Sequence, residues 1–213
     1  MSNTSWKTDL VQSAIGYAVM VTPLQIVTLY NAIANDGKMM KPYLIESFES
    51  DGKVVEKFGP SILNASICSK ATADTMTRAL KAVTAEGTGR QLKNAKCKVA
   101  GKTGTARVAL SKEERGTSKD PYISGNNERR YQATFVGFFP ADDPKYTAII
   151  TAYTTLSKGS LYGGDSPAKA YREIVDNLWA RDTEWSRRLE ERNEVPEMKS
   201  GFIATGLKGS APV

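Results

Sequence analysis

Apolar positions following Thr22-Pro23 recur at helical spacing, at Ile26, Leu29, Tyr30 and Ile33. Thr suits the N-cap and Pro the first helical position. Asn35-Asp36-Gly37 closes the pattern, with Gly37 as the left-handed cap. An extended segment starts at Lys41-Pro42-Tyr43-Leu44-Ile45. Glu49 to Lys53 then reads as a hairpin turn around Asp51-Gly52, with Val54-Val55 on the return strand. Ser69 caps a second helix through about Ala85, whose apolar face is Ala73, Met76, Leu80 and Val83. Glu86-Gly87-Thr88-Gly89 stops it, and Leu92 to Cys97 leads into a strand at Lys102. Residues 107–130 are polar and read as loop. Two strong strands follow, Gln132 to Phe139 and Tyr146 to Tyr153, joined by Pro140-Ala141-Asp142-Asp143-Pro144 as an antiparallel hairpin. Gly163-Gly164 forms a loop before a helix that starts at Ser166-Pro167, with Ser166 as its cap, and carries Tyr171, Ile174, Val175 and Leu178.

This order predicts an α+β fold, an antiparallel sheet with helices packed against it. After Ala180 the pattern changes. Arg181 to Glu194 is dense in both charge signs and predicts a solvated helix, and the rest reads as a tail or linker. The expected division is residues 1–180 as the main unit and 181–213 as helix and tail. No internal repeat is seen.

At 213 residues the chain is long enough for one domain with a sizeable core. Its net charge of +6 suits an acidic partner such as a peptide carboxylate. That charge is too small to indicate nucleic acid, and no aromatic-basic motif supports it. Histidine is absent, which excludes Ser-His-Asp and Cys-His catalysis and most zinc sites. Proton transfer must therefore use Lys, Tyr, Asp or Glu. Cys68 and Cys97 have no metal spacing; they read either as a pair or as buried thiols. No cofactor or metal motif is present, and no apolar run reaches the ~18 residues of a membrane span.

The candidate chemistry lies at Lys102-Thr103-Gly104-Thr105. A strand edge facing a cleft offers N–H and C=O groups to an extended peptide. A Lys and two Thr hydroxyls beside it suit a terminal carboxylate, and Gly104 lets a ligand backbone approach closely. A bare Lys-Thr-Gly triplet, taken alone, reads rather as an exposed strand Lys beside a Gly at a bulge, because three residues recur by chance. The tail of a phosphate-binding loop is a poorer fit, since Lys96 stands where that motif needs Gly. Asp142-Asp143 fits turn geometry better than paired acid–base work. Tyr17, Tyr122 and Tyr131 are groove candidates whose default is packing.

Agreement over a longer stretch favours the first reading. Gly16-Tyr17-Ala18-Val19-Met20-Val21-Thr22-Pro23-Leu24-Gln25 and Tyr30-Asn31-Ala32-Ile33-Ala34-Asn35-Asp36-Gly37-Lys38 resemble class B high-molecular-weight penicillin-binding proteins, the D,D-transpeptidases that cross-link peptidoglycan. Val99 to Ala106, Phe135 to Pro140 and the Gly163-Gly164 loop resemble the same family in the same order. The similarity covers residues 6–180, and its wording is most like division-type enzymes of the Bacteroidetes. The resemblance implies a serine β-lactamase-like fold and serine acyl transfer from a D-Ala-D-Ala stem peptide, with β-lactams as alternative ligands. It implies that Lys102 supplies charge and hydrogen bonding near the substrate. Thr103 and Thr105 hydroxyls would hold the carboxylate, Gly104 would leave room for the acyl chain, and the Thr105 N–H would form half of the oxyanion hole. It also implies a parent on the periplasmic side of the inner membrane, anchored by an N-terminal helix outside this chain, with divisome proteins as partners.

The family also carries a Ser-x-x-Lys nucleophile motif and a Ser-x-Asn motif before the Lys-Thr-Gly strand. The 101 residues before Lys102 read as holding neither. The chain is therefore expected to be the C-terminal part of the domain, inactive alone, with apolar surface exposed. Ser166-Pro167-Ala168-Lys169 and Ser124-Gly125-Asn126 fit the strings but lie downstream, and read as a helix start and a polar loop. A second reading is a non-catalytic peptide-binding or assembly module that uses the same strand edge.

Overall fold

The computed structural model describes residues 10–11, 13–14, 16, 19–156 and 162–194. The Ser2-Asn3 string, Tyr17, Ala18 and the 195–213 tail lie outside the described residues.

Helix α1 (Pro23–Ala34) starts as its sequence dictates. Thr22 forms a capping box: its Oγ1 accepts from the Gln25 N–H at 3.2 Å, and Gln25 Oε1 accepts from the Thr22 N–H at 2.8 Å. The helix ends where Gly37, at φ 89°, returns its N–H to the Ala32 carbonyl at 2.8 Å. A Cβ on Gly37 would lie 2.3 Å from the Cys68 carbonyl oxygen, so this cap also needs glycine for room.

Two short ribbons follow. β1 (Met39–Met40) pairs antiparallel with β4 (Ile62–Asn64). β2 (Ser47–Ser50) pairs with β3 (Lys53–Lys57) around Asp51 and Gly52, both at positive φ as a two-residue hairpin requires. The segment 41–45 is not a strand; pairing begins just before it, at Met39. Helix α2 (Lys70–Ala85) is capped by Ser69, whose Oγ accepts from the Thr72 N–H at 3.2 Å.

The main sheet has the order β5-β6-β7, with β5 (Ala100–Arg107), β6 (Arg129–Phe139) and β7 (Tyr146–Leu156) all antiparallel. β6 begins three residues before the expected strand, because Arg129 and Arg130 pair with Leu156 and Thr155. The polar 107–130 segment is not all loop. It contains a single helical turn, α3 (Lys112–Arg115), held by a Ser111–Glu114 capping box. Helix α4 (Ser166–Arg181) follows the sheet, and α5 (Thr183–Glu194) follows α4. Ser166 is not the cap of α4. Asp165 takes that position without a side-chain cap bond, and it binds Lys169 at 2.7 Å instead.

Helices cover the sheet from both sides. On one face Phe135, Phe139 and Val99 pack with Leu92 and with Ala168, Tyr171 and Val175 of α4. Phe135 and Phe139 both meet Tyr171 edge-on, at 4.7 and 5.7 Å between ring centroids. On the other face Ile33 of α1 and Leu80 of α2 pack on Ala100, Phe138 and Ala141. Each large side chain fully buried this way contributes roughly 1.5–3 kcal/mol. The architecture is the expected α+β one. The charged segment after Ala180 is only partly solvated, since Trp185 is buried against Phe139, Tyr146 and Trp179.

Two predicted faces turn out wider than the surface that covers them. Of the α1 stripe only Ile33 is buried, together with Thr28 and Ala32; Leu29 is exposed. On α2, Ala73 and Leu80 are buried and Met76 is exposed. Leu24, Val19, Val21 and Met20 extend this apolar surface, Met20 being 99% exposed. Both cysteines are free thiols. Burial, with the Asp176 carboxylate behind it, pushes Cys97 up to about 12.

The β5–β6 pair is unusually close at Gly101 and Gly137, which lie opposite each other. A Cβ on Gly137 would sit 2.5 Å from the Ala100 carbonyl oxygen, and one on Gly101 would sit 2.5 Å from the Phe135 ring. Gly137→Ala is therefore expected to destabilise the chain by about 1–3 kcal/mol, read as a lower urea midpoint at unchanged slope.

The turn between β6 and β7 is tied to α2 by Asp142, which pairs with Lys81 and lies 3.6 Å from Lys98. Partial burial raises the Asp142 carboxyl, but the two ammonium groups outweigh it and hold it below the ordinary carboxylate range. A carboxyl depressed on folding stabilises above its unfolded value of about 4 and loses that contribution as pH falls through the folded one. Asp142 is 48% exposed, so the contribution is under about 1 kcal/mol. Asp142→Asn should lower the melting temperature slightly at pH 7. That difference should shrink as the melts are run at progressively lower pH, below the ordinary carboxylate range.

Candidate active site

Strand β5 forms one edge of the sheet, and among the described residues no strand pairs with its outer side. Its register against β6 runs without a shift from Ala100↔Phe138 to Arg107↔Tyr131. Bonds at the two ends fix which backbone groups face inward. The Ala141 N–H donates to the Lys98 carbonyl at 2.8 Å, and the Val108 N–H donates to the Arg130 carbonyl at 2.9 Å. In an antiparallel ladder, alternate residues turn both backbone groups to the partner. Even-numbered residues of β5 therefore bond β6. Gly101, Thr103 and Thr105 turn their N–H and C=O groups to the free edge.

Side chains alternate as well. Lys102 and Gly104 lie on the face of α1 and α2, in line with Val136 and Thr134. Thr103 and Thr105 lie on the face of α4, in line with Phe135 and Ala133. The four residues thus do not point to one side. They meet only at the edge itself, where groups from both faces reach a ligand lying along the strand. Lys102 is exposed, and its Nζ donates to the outward Thr103 carbonyl at 2.8 Å.

Two other segments grip this strand from the α4 side. Thr88 Oγ1 lies 2.6 Å from Thr103 Oγ1. The Gly163 N–H donates to Thr105 Oγ1 at 3.1 Å. Both glycines of the Gly163-Gly164 loop are needed for closeness. A Cβ on Gly163 would lie 2.3 Å from the Thr134 carbonyl oxygen and 2.4 Å from that of Gly104, and one on Gly164 would lie 2.1 Å from that of Thr88. The loop backbone therefore rests on the sheet beside Gly104. The sequence marks Thr88 only as part of the helix stop; the one local signal for more is its place between Gly87 and Gly89.

The strings that fit Ser-x-x-Lys and Ser-x-Asn lie elsewhere. Lys169 is held by Asp165, one turn back. Ser124 closes a turn, accepting from the Glu128 N–H at 3.0 Å, and lines an open hollow of about 340 Å³ with Glu113, Glu114 and Arg129. None of Lys102–Thr105 lines that hollow. One further string does stand upstream of Lys102 and corrects the expectation of none: Ser50-Asp51-Gly52-Lys53 fits Ser-x-x-Lys. It is the tip of the β2–β3 hairpin, exposed, with Ser50 paired across the turn to Lys53, and no helix starts there. No Ser-x-Asn precedes Lys102.

Asp142 and Asp143 sit in the β6–β7 turn, the first in its ion pair with Lys81. Tyr122 and Tyr131 are half-buried. No group of three or more His, Cys, Asp or Glu that would hold a metal occurs among the described residues, and none of the described helices is long and apolar enough to cross a membrane.

Comparison with known proteins shows the family and the fold. Residues 1–176 match the family described as the penicillin binding protein transpeptidase domain. Stage V sporulation protein D of Bacillus subtilis is 34% identical over 171 residues, 78% of this chain and 24% of that protein. The chain thus spans about a quarter of the length of this curated relative. Among solved structures, the D,D-transpeptidase domain of a peptidoglycan glycosyltransferase from Eggerthella lenta is 30% identical, with a TM-score of 0.53 over 76% of this chain and 33% of that one. Penicillin-binding protein 3 of Mycobacterium tuberculosis, complexed with ampicillin, is 28% identical, with a TM-score of 0.59 over 76% and 35%. The chain belongs to the transpeptidase-domain family of the class B penicillin-binding proteins.

Proposed function

We propose that this chain provides the substrate-gripping side of a peptidoglycan D,D-transpeptidase centre, one that works by serine acyl transfer. The observation that carries the reading is the parity of β5. Its outward groups are those of Thr103 and Thr105, flanked by an exposed Lys102 and a bare Gly104. An extended stem peptide ending in D-Ala-D-Ala pairs with that edge as an added strand. Its carboxylate is met by the Lys102 ammonium and by the Thr hydroxyls. The Thr105 N–H lies where it donates to the oxygen of the attacked carbonyl as negative charge develops there. A β-lactam, with its carboxylate and strained amide, fits the same edge.

The serine that attacks and the lysine that takes its proton are not at Ser50, Ser124 or Ser166, and they come from the part of the domain this chain does not span. That part also covers the exposed Met20, Leu24 and Leu29. The working site lies outside the cytoplasmic membrane, where its polymer substrate is, with division proteins as partners and residues 181–213 as an appendage to the 1–180 unit. The chain is the C-terminal portion of such a domain.

Two measurements test this reading. Incubation with a fluorescent penicillin should leave the chain unlabelled, and a stable adduct on any one of its serines sinks the proposal. Titration with an acetylated Lys-D-Ala-D-Ala peptide should move the amide resonances of Thr103 and Thr105 before all others. Lys102→Ala should weaken that binding about ten-fold, in line with the loss of one charge-assisted hydrogen bond. Shifts confined to other strands would refute the edge-binding geometry.

A further inference from the structure

Resting on that reading, we infer that Thr88 is a positioning residue for the carboxylate grip, acting through Thr103, and that the Gly163 N–H does the same through Thr105. A hydroxyl carries one proton and two lone pairs. An oxygen that accepts a hydrogen bond from the protein keeps its proton for another acceptor. At Thr105 the accepting position is taken by the Gly163 N–H at 3.1 Å. This directs the Thr105 O–H away from the Gly163-Gly164 loop.

Thr103 has the same arrangement with a different donor. Its Oγ1 lies 2.6 Å from the Thr88 hydroxyl, a short contact in which either oxygen is able to donate. An anion at the free edge decides the direction. Thr103 then donates to the carboxylate, and Thr88 donates to Thr103. Such a relay polarises each successive O–H and strengthens the bond to the anion. Neutral ligands gain far less from it, because their carbonyl oxygens attract the proton less strongly.

The two supports also brace each other. The Thr88 carbonyl and the Gly164 Cα are packed so closely that a Cβ on Gly164 would sit 2.1 Å from that oxygen. Thr88 itself is held by the loop that ends α2, where the Gly89 N–H returns to the Val83 carbonyl at 2.9 Å. The Thr84 hydroxyl donates to the Val99 carbonyl at 2.6 Å, fixing that helix end to the start of β5. Thr88 is exposed and contributes nothing to the core. Its hydroxyl is therefore free to serve the strand rather than the packing.

The test compares two ligands on the full chain: acetyl-Lys-D-Ala-D-Ala with a free carboxylate, and the same peptide with a C-terminal amide. Thr88→Val, which keeps the shape and removes the hydroxyl, should weaken binding of the acid about five-fold and leave the amide unchanged. Thr88→Ser should restore the affinity for the acid. An equal loss for both peptides in Thr88→Val would show a purely structural role and overturn the inference. Unchanged affinity for the acid, or no recovery in Thr88→Ser, would overturn it too. If the unsubstituted chain itself binds acid and amide equally, the proposed function fails and takes this inference with it. A preference for the acid that is undiminished in Thr88→Val removes the inference alone.

Discussion

The arrangement depends on how β5 is held against β6. The ladder runs without a register shift from Ala100↔Phe138 to Arg107↔Tyr131 and continues into the Val108–Arg130 bond. Parity is therefore fixed over the whole strand. A shift of one residue would turn Thr103 and Thr105 inward and present Lys102 and Gly104 backbone groups to the edge instead. The close pair Gly101–Gly137 guards that register. No larger residue fits at either position, because carbonyl oxygens and the Phe135 ring already occupy the space. Phe135 in turn packs on Tyr171, which ties the register to helix α4. The chemistry of the edge and the packing of the core are thus set by the same few residues.

The two faces of the sheet do different work. The α4 face is closed by aromatic side chains and carries the loops that hold the threonine hydroxyls. The α1–α2 face is closed only at the end near Ala100 and Phe138. Lys102 on this face is exposed, and so are Met20, Leu24 and Leu29 in and before α1. Rigidity on one side and access on the other suit a strand that must stay in place while its edge is occupied. Lys102 adds one more constraint, since its ammonium already bonds the outward Thr103 carbonyl. A ligand that pairs with that carbonyl must displace it, and its apparent affinity falls by the share of molecules in which Lys102 is bound there.

Local chemistry was legible in the sequence. The Thr22-Pro23 start, the Gly37 cap and the Asp51-Gly52 turn each rest on bonds within a few residues, and all three form as the sequence predicts. β6 and β7 were legible because long β-branched and aromatic runs flank a proline-bounded turn. What escaped depends on partners distant in the chain. Ile62–Asn64 is a strand only because Met39 and Met40 lie beside it. Trp185 is buried only because Phe139 and Tyr146 end near it, in a segment whose composition says solvent. At the candidate site, the Lys-Thr-Gly string and its place on a strand were legible, but the alternation of its side chains between two faces and the Thr88 contact were not. A motif records spacing along the chain. Only pairing with β6 decides which way each residue turns.

The opposite edge of the same sheet carries a different consequence. Among the described residues β7 pairs with β6 alone, so its far side is also open. From Thr147 to Leu156 it has neither a proline nor a charge. β5 is blunted by the Lys102 head group, which bonds the outward Thr103 carbonyl, whereas among the described residues no charged side chain of β7 itself between Thr147 and Tyr153 does the same. An unguarded strand of this length is a template for another chain, including a second copy of this one. Protein concentration is therefore a physical variable for this molecule.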